Sequence, residues 1–329
     1  LGLHNAPILI PANTCYIVLW AVLQSGNLPV LADVDLDSAS VTPDTLTATG
    51  ITPAAIIPAH MYGLPAPMQA LTAWARARGV WVIEDAALAL GSVVAGRPAG
   101  AWGDVAVFSF GRGKGADMDN GGAALTHDSA RADAIEAEIR VLPLWSEALA
   151  RLNRQWLDIY WALHQHEDAN PALPALYRPL FQMYGPMTQY RLRDAAWRDL
   201  PSALAAFDAE TLHRKRLAQL YDDGLQNTPA QTFPRPNDTV LWRYPLRVPA
   251  SQRDGLMQAL WSAGITDVTR WYPSLQPMLR ELAPDAPTTA TPNADRLSAE
   301  IVNLPLSAET SEADAEQIMS LIQSYFAAL

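Results

Sequence analysis

Short apolar runs alternate with segments of helical spacing through the first 128 residues. PILIP (7–11), LPVLADV (28–34), AAIIPAH (54–60), VWVIEDA (80–86), VAVFSF (105–110) and GGAALTHD (121–128) read as strands. Cys15 to Leu23, closed by Ser25-Gly26, reads as a helix, as do Pro43 to Ala48 and Pro67 to Arg78, the last ended by Gly79. A strand with one wet face alternates polar and apolar residues. These runs are apolar almost throughout, so both of their faces need cover. The pattern predicts an α/β fold with a parallel or mostly parallel central sheet and helices on both faces. Ligands of such sheets sit beyond the carboxyl ends of the strands. His60, Asp85 and Ser109 each lie at or next to such an end.

The pattern then changes. From Ser129 to about Asp208 the spacing is helical and rich in Trp, Leu, Arg and Ala, with a proline-bearing stretch at 170–186 that reads as irregular. A long helix follows from Ala209 to about Leu225. YPLRVP (244–249), a helix from Ser251 to Ala263, an extended ITDVTRWYP (265–273) and a closing helix from Glu309 to about Phe326 predict a second, smaller α/β unit. The expected division is a large α/β domain at 1–135, a helical connection at 136–208 and a small C-terminal domain at 209–329.

Half of the 329 residues are hydrophobic and 17% are charged, enough for a packed core. The formal net charge of -11 excludes a general nucleic-acid binder, because nothing offsets phosphate repulsion. It leaves room for an anionic small substrate in a locally positive pocket. The one cysteine, Cys15, can form no intrachain disulfide, which suits the cytoplasm. The most apolar run, Ile8 to Leu23, is interrupted by Pro11, Asn13 and Thr14, so it is too broken to span a membrane.

Two residues carry the chemistry. Asp85 ends an apolar strand, where a carboxylate is costly unless a cation or hydrogen-bond donors meet it. It is either a helix cap or salt-bridge partner, or a partner for a protonated ring nitrogen. Lys114 stands in VFSFGRGKG (107–115), one amine among glycines directly after a strand. It is either a solvated loop charge or a reactive amine, able to form a Schiff base with an aldehyde if burial strips its proton. The loop is no triphosphate-binding loop, because Gly115 stands where Ser or Thr is required. Ser109 could donate to a phosphate. Arg112 and Arg270 could each meet an anion or be solvated. His164 and His166, two apart in HQHED, point to different sides of a helix and predict a solvated polar face rather than a metal site. Asp117, Asp119 and Asn120 lack the closing Glu of a calcium loop.

Several ordered motifs together are more specific. PANTCYIVLWAVLQSGNLPVLADVD, IIPAHMYGLPAPM, VIEDAA, GDVAVFSFGRGKG, NGGAAL, GITDVTRWYPSLQPM and NLPLS resemble, in order and spacing, signatures of the DegT, DnrJ and StrS sugar-aminotransferase family. The resemblance runs almost the whole length. It implies a fold-type-I pyridoxal-phosphate transferase, with Lys114 as the lysine that binds the cofactor aldehyde and then carries the proton. Asp85 would keep the pyridine nitrogen protonated, Ser109 would bind the phosphate, and Cys15 or Tyr16 would lie against the ring. Arg112 and Arg270 become candidates for substrate contact, and His60 is either a structural hydrogen-bonding residue near the site or a further such candidate.

The sequence also departs from that pattern. Leu88 and Leu90 stand where the family usually has Gln and His, Gly115 stands for Asn, and Asn120 stands for Glu. The phosphate-binding helix start of the family has no counterpart after Leu1. The family's motif that reaches the neighbouring site aligns either with Gln189-Tyr190-Arg191-Leu192 or with Trp197 to Leu204. The resemblance implies a homodimer that moves an amino group from an amino-acid donor to a keto group of a nucleotide-linked sugar. The alternative is a non-catalytic member acting as a binding or regulatory module.

Overall fold

The computed structural model describes residues 1–166, 170 and 172–329. The N-terminal strands are β1 (Pro7–Pro11), β2 (Leu28–Ala32), β3 (Ala55–Ile56), β4 (Trp81–Asp85), β5 (Val93–Val94), β6 (Arg97–Pro98), β7 (Val105–Ser109) and β8 (Gly122–Leu125). Six of them form one sheet in the order β2-β1-β3-β4-β7-β8, while β5 and β6 pair as a separate hairpin. All pairings from β2 to β7 are parallel, and β8 joins antiparallel. The apolar runs account for this: Ile8, Leu9, Ile10, Val30, Leu31 and Ala32 are all buried, with no wet face left to them.

The run at 54–60 forms a shorter ladder than its apolar character predicts. Pro58 has no N–H to donate, and regular pairing stops at Ile56. Pairing with β4 resumes beyond the proline, where His60 N donates to Asp85 O at 3.1 Å and Asp85 N donates to Pro58 O at 2.9 Å. Helices α1 (Tyr16–Gln24), α2 (Pro43–Ala48) and α3 (Met68–Arg76) make the crossovers. The second starts with a reciprocal cap in which Thr42 and Thr45 each bond the other's backbone N–H.

Four helices follow: α4 (Ser129–Val141), α5 (Glu147–His166), α6 (Tyr177–Thr188) and α7 (Leu200–Leu225). The proline-bearing stretch expected to be irregular contains α6. Pro179 sits in its first turn, where no N–H is needed, and Pro186 sits in its last. Tyr177, Leu180, Phe181, Tyr184 and Met187 bury one face at helical spacing, and that burial outweighs one missing hydrogen bond. Helix α7 starts earlier than the expected Ala209, with Pro201 in its first turn. His164 is buried and stacks on Tyr160, so the HQHED stretch is not a solvated face at that position; the side chain of His166 lies outside the described residues.

The C-terminal unit contains β9 (Gln231–Thr232), β10 (Tyr244–Arg247), α8 (Ala250–Ser262), α9 (Gln276–Leu282), α10 (Pro292–Glu300), β11 (Ile301–Leu304) and α11 (Glu312–Ala327). Its strands run antiparallel in the order β11-β10-β9. The 265–273 segment touches this sheet through one bridge, Thr269 to Asn303. The unit is fastened over the carboxyl ends of the large sheet. Leu275 N donates to Ala12 O at 2.8 Å, Trp242 N to Tyr62 O at 2.7 Å, and Arg247 Nη1 to Leu36 O at 3.2 Å. The Asp33 carboxylate accepts from Asn293 N and Ala294 N at 3.2 and 2.9 Å, capping α10 from the other unit. Gly63 lets the two backbones meet: it has φ +91°, and a Cβ there would lie 2.3 Å from Val240 O.

Candidate active site

Strand alternation sends Glu84 and Asp85 to opposite sides of β4. On the side of Asp85 lies a cavity of about 820 Å³. Its polar wall is built by Asp85 at the end of β4, Ser109 at the end of β7, Lys114 in the following loop, and Thr14 and Cys15 just before α1. Tyr272 and His60 also line it, as do His4, Ser25, Asn27 and Thr188 farther along, and the rest is mostly apolar, with Leu88, Ile83 and Val107 among its residues. The strand-end aspartate and the glycine-loop lysine therefore face one space.

Asp85 is half-buried and accepts one hydrogen bond, from Ala87 N to Oδ1 at 3.1 Å. Burial pushes its carboxyl above the usual range, against the Ala87 bond and the charge of Lys114. Lys114 makes no hydrogen bond or ion pair through its amine among the described residues. Its Nζ stands 4.8 Å from the centre of the Trp242 ring. Burial pushes its amine below the usual range; Cys15 and Asp85 oppose this, and Arg243 adds to it. Burial raises the Cys15 thiol to about 11, so it stays protonated at neutral pH. Ser109 Oγ accepts from Gly111 N at 3.3 Å, which leaves its own hydrogen to donate.

On the other side of β4, Glu84 is fully buried. Its carboxylate accepts from Gly100 N at 2.6 Å, Trp102 N at 2.8 Å, Gly103 N at 3.0 Å and His60 Nε2 at 2.9 Å. His60 Nδ1 accepts from Ala66 N at 2.9 Å, so the ring proton sits on Nε2. Both ring nitrogens are thus occupied by protein. His60 reaches the cavity without a free nitrogen for a substrate, which fits a structural hydrogen-bonding residue at its edge.

Three other candidates do not line the cavity. Tyr16 does not face the cavity. Cys15 is the cap residue of α1 and Tyr16 its first member, so the two point in different directions. Tyr16 packs with Trp156, Tyr160, Phe181 and Tyr184, at ring-centre distances of 4.3 to 6.2 Å. The Arg112 side chain is 89% exposed and 3.4 Å from Asp119. Arg270 is half-buried in the 265–273 segment and does not line the cavity. Another cation of the small unit, Arg243, pairs with Asp267 at 2.7 Å, and its charge disfavours the ammonium of Lys114. Arg243 stands beside Trp242 and Trp271, 5.4 and 5.1 Å from their ring centres. No local pattern marks it in the sequence. Thr14 could have been found, since it ends the Pro-x-x-Thr motif.

Pyridoxal phosphate, implied by the resemblance, fits this donor set. Asp85 has a carboxylate oxygen with no protein donor, suited to a ring N–H. Lys114 offers an unpaired amine whose proton is loosened by burial. Ser109 and Thr14 offer hydroxyls suited to phosphate oxygens.

Comparison with known proteins agrees. The DegT/DnrJ/EryC1/StrS aminotransferase family matches residues 2–323. The erythromycin biosynthesis sensory transduction protein EryC1 of Saccharopolyspora erythraea is 28% identical over 327 residues, covering 96% of this chain and 78% of that protein. The structure of S. venezuelae DesV is 25% identical with a TM-score of 0.75, covering 98% of this chain and 78% of that one. DesI, crystallised in the presence of its TDP-sugar product, is 24% identical with a TM-score of 0.74, covering 98% and 75%. The fold is that of the fold-type-I pyridoxal-phosphate aminotransferases, and the chain belongs to the DegT/DnrJ/EryC1/StrS aminotransferase family.

Proposed function

We propose that this aminotransferase uses pyridoxal phosphate to move an amino group from an amino-acid donor to a keto group of a nucleotide-linked sugar. The observation that carries the reading is the shared cavity of Asp85 and Lys114, each without an ion-pair partner among the described residues. The TDP-sugar product of DesI supports the substrate class.

The residues divide the work. When bound, the cofactor supplies an aldehyde carbon and a ring that accepts electrons from a neighbouring carbon. Asp85 would hold a proton on the ring nitrogen. Lys114 would hold the aldehyde carbon until an incoming amino group displaces it, and its freed amine would then be the group that carries the proton. An amine whose charge is disfavoured by burial suits that exchange near neutral pH. Ser109 and Thr14 would hold the phosphate through their hydroxyls, and Cys15 and Leu88, which line the same cavity, would exclude water from it.

A homodimer fits the exposed apolar side chains of the helical region, where Val141 is 78% exposed and Leu152, Ile159 and Met183 are also uncovered. No helix among the described residues is long and apolar enough to cross a membrane. A regulatory reading without turnover is favoured by one observation: Leu88 puts hydrocarbon in the wall where the family usually has Gln.

One experiment separates these readings. Pyridoxal phosphate is added to the purified protein, visible absorbance is recorded, and borohydride is applied before peptide mass analysis. A visible band and a mass increment on Lys114 are expected, followed by loss of the band when glutamate is added. No band and no increment would refute cofactor use. A band that no amino donor bleaches would favour the regulatory reading. Amination of a TDP-linked keto sugar, followed by mass spectrometry, tests the acceptor class.

A further inference from the structure

The loop that carries Lys114 leaves the sheet at Phe110 and turns through three glycines. Its internal bonds are few. Lys114 N donates to Gly111 O at 3.1 Å, Gly113 N to an Asp117 carboxylate oxygen at 2.6 Å, and Met118 N to Phe110 O at 2.8 Å. Such a loop does not by itself hold a long, unpaired amine at one place.

Two aromatic side chains from outside the sheet meet it on either flank of Lys114. Trp242 Nε1 donates to Gly113 O at 2.8 Å, and the same indole presents its face to Lys114 Nζ at 4.8 Å. That indole is itself held. Its backbone N donates to Tyr62 O, Arg214 Nη1 donates to its carbonyl at 2.5 Å, and Trp271 stacks on it at 5.3 Å with 7° between planes. On the other flank, Phe207 of α7 lies against the backbone of Gly115. A Cβ on Gly115 would come 2.6 Å from Phe207 Cε2, and one on Gly91 would come 2.6 Å from Phe207 Cζ. A residue larger than glycine at 115 would have to displace this ring.

We propose that Trp242 and Phe207 are positioning residues for Lys114. The indole fixes the residue before it and holds the amine against a π face, and the phenyl ring fixes the residue after it. The consequence for function rests on Lys114 being the reactive amine of the aminotransferase. A π face favours the ammonium form, so Trp242 restrains the loss of the proton that burial promotes. The other groups that face the amine are Cys15 before α1, Asp85 on β4 and Arg243 beside β10. Tyr272 shares the cavity wall.

The test needs no cofactor, so its failure is distinct from failure of the proposed activity. The full chain, free of pyridoxal phosphate, is trace-labelled with acetic anhydride across a pH series, and acetylation of Lys114 is read by mass spectrometry. Trp242→Leu is expected to move the midpoint to lower pH and to raise labelling below it roughly fivefold, the scale of one cation–π contact. Trp242→Phe keeps a ring face without the N–H. It is expected to keep a midpoint closer to wild type while speeding hydrogen exchange at Gly113 to Gly115. Gly115→Ala is expected to change Lys114 labelling, and Gly115→Ala with Phe207→Leu to restore it. A wild-type midpoint in folded Trp242→Leu, or equal shifts in the Leu and Phe variants, overturns the role of the indole. Wild-type labelling in Gly115→Ala, or no rescue by Phe207→Leu, overturns the role of the phenyl ring.

Discussion

Replacing Glu84 by Gln tests how the strand that carries Asp85 is held. The carboxylate has no exposure and collects four donors, two on each oxygen: His60 Nε2 and Gly100 N on Oε1, Trp102 N and Gly103 N on Oε2. A glutamine can keep its carbonyl toward the first pair. Its NH₂ then faces two N–H donors, which are left without acceptors. Each buried orphan costs roughly 1–3 kcal/mol, so a loss of about 3 kcal/mol is expected. With an unfolding entropy of about 2 cal/mol/K per residue over a chain of this length, that corresponds to a Tm lower by about 4 °C at pH 7. A smaller cooperative unit would give a larger drop. Burial by itself would raise the Glu84 carboxyl, but the hydrogen bonds from His60, Gly100 and Gly103 outweigh it and hold the carboxyl below its usual range. The folded value thus lies below the unfolded one. The stabilisation is fully present above the unfolded value, near pH 4.3, and is lost as pH falls through the folded value. The Tm gap between wild type and Glu84→Gln, measured by circular dichroism, should therefore narrow below about pH 4. A variant within 1 °C of wild type at pH 7, where the reasoning expects about 4 °C, would refute it. So would a gap that persists undiminished in acid.

Three further outcomes are expected. Asp85→Asn should lower the rate of the half-reaction with an amino donor by at least about a hundredfold, the scale of losing one positioned charge; rapid-mixing absorbance checks this, and a rate within about threefold of wild type contradicts the role. Asp33→Ala removes the cap that the large unit gives to α10, at a cost of roughly 1–2 kcal/mol, seen as a Tm lower by about 2 °C in differential scanning fluorimetry; an unchanged Tm would show that solvent caps the helix equally well. Val141→Glu places a charge on the most exposed apolar residue of α4 and should shift a dimer toward monomer in light scattering, whereas an unaffected dimer would put the interface elsewhere.

Much of the fold can be read along the chain because burial on both faces of a strand leaves a continuous apolar run. β1, β2, β4 and β7 are found where those runs lie, and their parallel pairing follows from the helices between them. β3 was legible as a strand but not in length, since the missing N–H of Pro58 interrupts its ladder. β11 was not read as a strand, although Ile301 to Leu304 are all buried. Four apolar residues between helices fit several structures equally well. Helix α6 was obscured because prolines in a first or last turn look, in sequence, like prolines that break a helix.

The site divides the same way. By itself the sequence determined that a carboxylate ends β4 and that an amine follows β7, and the motif order pointed to what such a pair holds. Only the tertiary structure decided that both line one cavity, that Tyr16 turns into the aromatic core while Cys15 does not, and that both nitrogens of His60 are already bonded. It also decided that Trp242 and Phe207, more than 90 residues beyond Lys114 in the chain, flank its loop. The reason is physical. Periodicity records which face of an element is shielded from water, because neighbouring residues share that constraint. It does not record what provides the shielding, because that contact joins positions with no shared spacing.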